Sequence, residues 1–197
     1  MSITCTNREG LENFMREHLK PSRYKHSLGV EKMATELATI HGADIEKAAF
    51  AGRYHDIAKC FDEDTSDSYI RKYHIDEKYL GDTALAHSKV AAAILEYEYG
   101  VTDVDLLNAV KSHTTGRVDM SLLEEIIYVS DAIEENRNYP ELNDLQELAR
   151  NNLDMACLEI MNFAVQFIIE KGKEVDTDTL DAREFIKERI RRRQDEQ

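Results

Sequence analysis

With 197 residues, 42% hydrophobic and 32% charged, the chain is long enough to bury a core without staples and is expected to form one globular domain. Its net charge of −14 argues against nucleic acid and anionic lipid as partners. A phosphorylated ligand would need local cations or bound metal to overcome that field. Two prolines, eight glycines and no tryptophan leave long uninterrupted stretches, which favours helix. Cys5, Cys60 and Cys157 are far apart and form no C-x-x-C pair, as expected of a reduced, cytoplasmic protein. No signal peptide is visible, and the greasiest run, Met155 to Ile169, is too short and too polar to span a membrane.

Leu11, Phe14, Met15 and Leu19 fall at helical spacing and predict a first amphipathic helix over 8–19, with His18 solvated at its end. Pro21 is expected to interrupt, with Ser22 capping a second helix. Its apolar stripe runs from Tyr24 through Leu28, Met33, Leu37 and Ile40 to His41, and Gly42 stops it. Asp44 caps a third helix, rich in small residues at Ala48, Ala49 and Ala51, which is expected to carry His55-Asp56. Residues 61–67 read as an acidic, irregular loop, followed by short segments at 68–73 and 76–80. The alanine-rich run 83–99 predicts a tightly packed core helix closed by Gly100. Asp103 or Asp105 caps the next helix, which ends at Ser112-His113-Thr114-Thr115-Gly116. Ser121 opens another, with Leu122, Leu123, Ile126, Ile127, Val129 and Ile133 on its apolar side. Two long helices complete the chain, about 141–171, with a break near Asn151, and 178–193, whose final arginines are ordinary last-turn cations. No strand, repeat or linker is evident, so the expected architecture is an all-α bundle.

His55-Asp56 places a soft nitrogen beside a hard carboxylate, a pairing that suits zinc, iron or manganese. His26, His55, His87 and His113 each lie on a different predicted helix, separated by 29, 32 and 26 residues. His87 sits among Ala84, Leu85, Ala86 and Ala91, and Asp131 interrupts the apolar face that begins at Ser121. One buried histidine is usually satisfied by a carbonyl. Four beside an aspartate are more economically explained by metal.

The order His … His-Asp … His … His … Asp resembles the HD-domain superfamily of metal-dependent phosphohydrolases. The strings RYKHSLGV at 23–30, HDIAK at 55–59, SHTTG at 112–116, IIYVSD at 126–131 and Asn136-Arg137 are similar to the YqeK branch, bacterial proteins resembling symmetrical diadenosine tetraphosphatases. The chain departs from the expected pattern at Ser88, where glycine is expected after the histidine, and before Asn136-Arg137, where proline is expected.

The resemblance implies an all-α HD-type helical bundle as a single domain, with a metal core over about 20–140 and a helical extension over about 141–197. It implies two divalent ions, iron first, manganese or zinc next. His26, His55, Asp56 and Asp131 would hold one, and His87 and His113 the other, with Asp56 bridging. Such a pair clamps attacking and leaving oxygens and lowers the pKa of water. Lys59 is expected to act beside Asp56 in catalysis. Arg23, Arg117 and Arg137 are candidates to grip a polyphosphate. Thr114 and Thr115 are placed to bond a phosphate or an imidazole, and Asp62 and Glu63 to orient a water or simply to be solvated. The implied reaction converts diadenosine tetraphosphate to two ADP. The alternatives are another nucleotide or deoxynucleotide phosphatase, a cyclic-dinucleotide phosphodiesterase, or a nucleotide sensor without turnover. The partner is a nucleotide-type small molecule, and the oligomeric state stays open, a homodimer included. Tyr24, Tyr54 and Tyr139 are the aromatics available to stack on a base.

Overall fold

The computed structural model describes residues 3–195, and within them every regular element is helical. Ten α-helices run in order: α1 Arg8–His18, α2 Pro21–His41, α3 Ile45–Tyr54, α4 Glu63–Lys72, α5 Thr83–Tyr97, α6 Val104–Ser112, α7 Leu122–Ile133, α8 Leu142–Asn151, α9 Leu153–Glu170 and α10 Thr177–Asp195. A single 3-10 turn, Glu77–Tyr79, precedes α5. No helix among the described residues is long and apolar enough to cross a membrane.

Local chemistry sets the boundaries. The side chains of Asn7, Asp44, Asp62, Asp82, Asp103, Ser121 and Asn152 each accept the backbone N–H of the third residue onward. Each satisfies one otherwise orphaned donor, worth about 1 kcal/mol. At α7 the cap is reciprocal: Glu124 returns a carboxylate to the Ser121 N–H.

Three expectations need correction. Pro21 does not interrupt a helix but opens one: its fixed φ suits the first helical position, so Ser22 lies inside α2 and Lys20 precedes it without a side-chain cap. The stretch 61–67 is not irregular, because Asp62 caps α4. Of the two expected caps for α6, Asp103 fills the role. Most consequentially, α3 ends at Tyr54, and residues 55–60 form successive turns, so the His-Asp pair is not helical. The break near Asn151 is present: Asn152 ends α8 and caps α9.

The core is built on α7, whose Ile126, Ile127, Val129 and Ile133 are completely buried. Around it pack α2, α3, α6 and α9. The small residues of α3 bring its backbone against α2. A Cβ at Gly52 would lie 3.0 Å from the Glu31 Cα, so glycine is what permits this approach. That approach sets where the chain emerges at His55, facing His26 on α2. Truncating a buried side chain such as Ile127 to alanine would cost about 2–5 kcal/mol.

Candidate metal centre

The predicted ligands come from five places in the chain. His26 lies in the second turn of α2, His55 and Asp56 in the turns after α3, His87 on α5, His113 just past α6, and Asp131 near the end of α7. All four histidines and Asp56 are buried, and Asp131 is partly exposed. His26 Nε2 lies 3.0 Å from Asp131 Oδ1, and His55 Nε2 lies 3.9 Å from that same oxygen. Asp56 sits between two histidine pairs. Its Oδ2 is 3.6 Å from His55 Nε2 and 3.9 Å from His26 Nε2. Its Oδ1 is 3.3 Å from His87 Nε2 and 3.4 Å from His113 Nε2. Ligand atoms of His26, His55 and Asp131 fall within 4.8 Å of one another, as do those of His55, Asp56 and His113.

The outer nitrogens of these rings are already engaged. His55 Nδ1 is 2.8 Å from the Gly52 carbonyl, His113 Nδ1 is 2.8 Å from the Val110 carbonyl, and His87 Nδ1 is 3.3 Å from that of Thr83. His26 Nδ1 is 3.1 Å from Glu134 Oε1. A ring that donates from Nδ1 carries its lone pair on Nε2, so every Nε2 arrives as a ligand atom. His26 Nε2, His55 Nε2 and Asp56 Oδ1 are buried without any hydrogen-bond partner. His87 Nε2 and His113 Nε2 stand 3.1 Å apart beside Asp56 Oδ1. Acceptors gathered in this way repel one another unless a cation lies among them. Four imidazoles and two carboxylates therefore fit divalent metal ions.

Electrostatics point the same way. Burial holds the His55 imidazole down at about 4, so the ring is neutral and available at neutral pH. Burial also lowers His87. His26 is raised, because the adjacent carboxylates of Asp131 and Glu134 outweigh its burial. Asp56 is held well below the usual carboxylate range despite its burial, by the imidazoles of His55, His113 and His87 that surround it. Asp131 is likewise lowered, with His26 the main cause opposing burial.

Among the cations, Lys59 Nζ reaches His87 Nε2 at 3.0 Å, and Thr114 Oγ1 reaches the same atom at 3.1 Å. Arg23 Nη1 approaches Asp56 Oδ2 at 3.5 Å. Arg137 donates to Asp131 Oδ1 at 2.6 Å and to its carbonyl at 2.9 Å. Lys59, Thr114 and Arg137, with His113 and Asp131, line a cavity of about 770 Å³.

Other candidates are placed elsewhere. Thr115 is fully buried; its hydroxyl donates to the Gly116 carbonyl and accepts from Lys89. Arg117 grips Glu124 with two hydrogen bonds and lines a different cavity. Asp62 is committed to its helix cap, and Glu63 is exposed in the first turn of α4. Tyr54 is buried against Phe50, and Tyr24 bonds Glu12, which leaves Tyr139 as the one of the three tyrosines that lines the 770 Å³ cavity. Ser88 bonds the Leu85 carbonyl at 3.3 Å and α5 stays regular through His87.

Sequence reasoning missed Glu134. It is 1% exposed and ends α7 with a carboxylate turned inward. One oxygen faces His26 Nδ1, and the other accepts from the Asn136 N–H and Nδ2, both at 2.7 Å. The fit requires Gly29: a Cβ there would come within 2.1 Å of Glu134 Oε2. Glu134 therefore fixes the tautomer and the angle of His26.

Comparison with known proteins agrees with this geometry. Residues 23–136 match the HD domain. The symmetrical bis(5'-nucleosyl)-tetraphosphatase of Staphylococcus aureus is 36% identical over 178 residues, which cover 89% of this chain and 92% of that protein. The protein of the same name from Bacillus subtilis is 36% identical, covering 88% and 94%. A crystal structure of a predicted HD superfamily hydrolase involved in NAD metabolism, from Clostridium acetobutylicum, superposes with a TM-score of 0.87 at 34% identity, covering 92% of this chain and 97% of that one. With that signature over more than half its length, and a fold shared almost end to end, the chain belongs to the HD-domain family of hydrolases, whose members bind divalent metals.

Proposed function

We propose that this chain cleaves dinucleoside tetraphosphates symmetrically, diadenosine tetraphosphate giving two ADP. The observation that carries the reading is the convergence of partnerless Nε2 and Oδ1 atoms just behind His113 and Asp131, which line a 770 Å³ cavity. Two relatives aligned over most of the chain carry that activity in their names.

In this reading His26, His55, Asp56 and Asp131 would hold one ion, and His87 and His113, together with Asp56, a second; iron is the first expectation. When bound, such ions polarise phosphoryl oxygens and make water acidic enough to attack near neutral pH. The protein's own residues do the rest. Nδ1 hydrogen bonds keep each ring aimed. Lys59, Arg23 and Arg137 balance the charge that builds on the phosphates. The Thr114 hydroxyl is in reach to hold a phosphate oxygen. The cavity runs from α7 to α8 and α9, so residues 141–170 of the extension supply its apolar wall. Tyr139, Phe163 and Phe167 line it and offer faces on which a base stacks while water is kept out. The substrate pool is cytoplasmic nucleotide.

Turnover of diadenosine tetraphosphate by anaerobically purified protein, with metal content measured on the same sample, tests the reading. The expected result is ADP as sole product and no activity in His55→Ala. Bound metal without turnover would discard the substrate. Neither metal nor turnover after reconstitution with iron or manganese would discard catalysis.

A further inference from the structure

A second cavity, of about 610 Å³, shares no lining residue with the first. Residues two apart on a helix point about 200° from each other, so His87 faces the metal ligands and Lys89 faces this cavity. Lys89 is 5% exposed. Its ammonium donates to the Lys111 carbonyl at 2.8 Å and to Thr115 Oγ1 at 3.3 Å, and stands 5.6 Å from the centre of the Tyr79 ring. These bonds tie α5 to the end of α6, where a cation complements the helix dipole.

They do not neutralise the charge. Among the described residues no carboxylate lies within 4.0 Å of the Lys89 or Lys111 ammonium, although Asp76, Glu96 and Asp178 also line the cavity. Lysine is almost never buried to this extent without a charged partner. Two of its three protons are used, and one is left. Lys78, also in the wall, reaches Asp178 only at 3.7 Å, while Arg117 is committed to Glu124. Three lysines with little close counter-charge therefore converge in a chain whose acids outnumber its bases 39 to 25. His74, on the same wall, holds a φ of 53° as the residue just past the end of α4, where the Ile75 N–H closes the helix on the Ile70 carbonyl.

We propose that this cavity is a second ligand site, separate from the metal centre, which binds a small phosphate-bearing anion. Lys89 is its buried anchor, and Lys78 and Lys111 meet the ligand from the rim. The proposal does not depend on which nucleotide the metal centre hydrolyses.

Isothermal titration of the metal-loaded protein with inorganic pyrophosphate decides it. One class of binding is expected to weaken at least tenfold in Lys111→Glu, a charge reversal at an exposed position, with nucleotide turnover unchanged. Lys89→Met should weaken the same class. The proposal is overturned if Lys111→Glu weakens no class of pyrophosphate binding. It is also overturned if the weakening comes with a matching loss of turnover, because that class then belongs to the metal centre. Should Lys89→Met fail to fold, the Lys111→Glu titration is sufficient to decide between these outcomes.

Discussion

Two knots of buried ionisable groups lie in this molecule, and they are satisfied in opposite ways. In the metal centre, partnerless buried atoms converge from three residues. Beneath α10, Arg189 bridges Glu125 on α7 and Asp154 on α9, and Arg193 also reaches Asp154. There only Arg189 Nε lacks a partner. A knot whose charges find each other inside the protein staples one helix to two others. A knot that keeps two imidazole nitrogens and a carboxylate oxygen buried and unpartnered, despite the cations at its rim, is open to a cation from outside. The distinction separates function from architecture here better than burial or charge count does.

The largest effect should come from emptying the first knot. His55→Ala removes a ligand shared by both triads of candidate donors. Turnover and metal content should both fall by more than the 10–100-fold typical of residues that only orient ligands, while helix content by circular dichroism is retained. Arg189→Leu should do the reverse, because it strands two partly buried carboxylates. Thermal unfolding is expected to show about 3–5 kcal/mol of destabilisation with metal content per folded chain unchanged. A loss of metal in Arg189→Leu, or of stability alone in His55→Ala, would erase the division between the knots.

The two knots should also titrate in opposite senses. The His55 ring is held at about 4, below its ordinary 6.5. Its stabilising contribution is full above pH 6.5 and is lost as pH falls toward 4. Glu125 is pushed up by burial, with Asp154 sharing the Arg189 guanidinium, to about 7 from 4.5. Its contribution is full below pH 4.5 and is lost as pH rises toward 7. Each gap corresponds to roughly 3 kcal/mol. His26 is raised and runs against His55, which reduces the net slope of the first knot. In metal-free protein, Glu125→Gln should therefore gain on the unmodified chain as pH rises from 4.5 to 7. His55→Asn should gain on it as pH falls from 6.5 to 4. Melting temperatures across that range check both, and parallel curves would contradict the assignment.

The fold was largely legible because its signals are local: aspartate, asparagine and serine caps, apolar stripes at helical spacing, glycine stops. The ligand candidates were legible because histidines and an aspartate interrupted those stripes at Ala86-His87 and Ser130-Asp131. What escaped depended on contacts distant in sequence. The spacing through Arg53-Tyr54-His55 continues a helix on paper, and only the turn in which His55 reaches back to the Gly52 carbonyl ends it. Arg117 follows the SHTTG string and suggests a phosphate grip, but Glu124 in the capping box already holds it. Lys89 on an alanine-rich helix reads as a solvated lysine until α6 closes over it. Glu134 reads as one more surface acid in Glu134-Glu135-Asn136. The available clue was Gly29, three residues after His26, a glycine inside a helix that gains nothing locally from it.

Glu134 supplies the finest test of the comparison, because it belongs to the first knot yet is fully partnered. Its charge faces His26 Nδ1 and its second oxygen is held by Asn136. Glu134→Gln keeps the shape and can keep a hydrogen bond, but it removes the charge that makes His26 a stronger ligand. Metal affinity, measured by chelator competition, should fall about 10–100-fold, with stability of the metal-free protein nearly unchanged. Gly29→Ala should displace the same carboxylate by steric contact and weaken metal binding in the same direction. Unaltered affinity in both variants would make Glu134 a structural cap of α7 alone. A shared loss would place the boundary of the metal centre one shell further out than its histidines and aspartates.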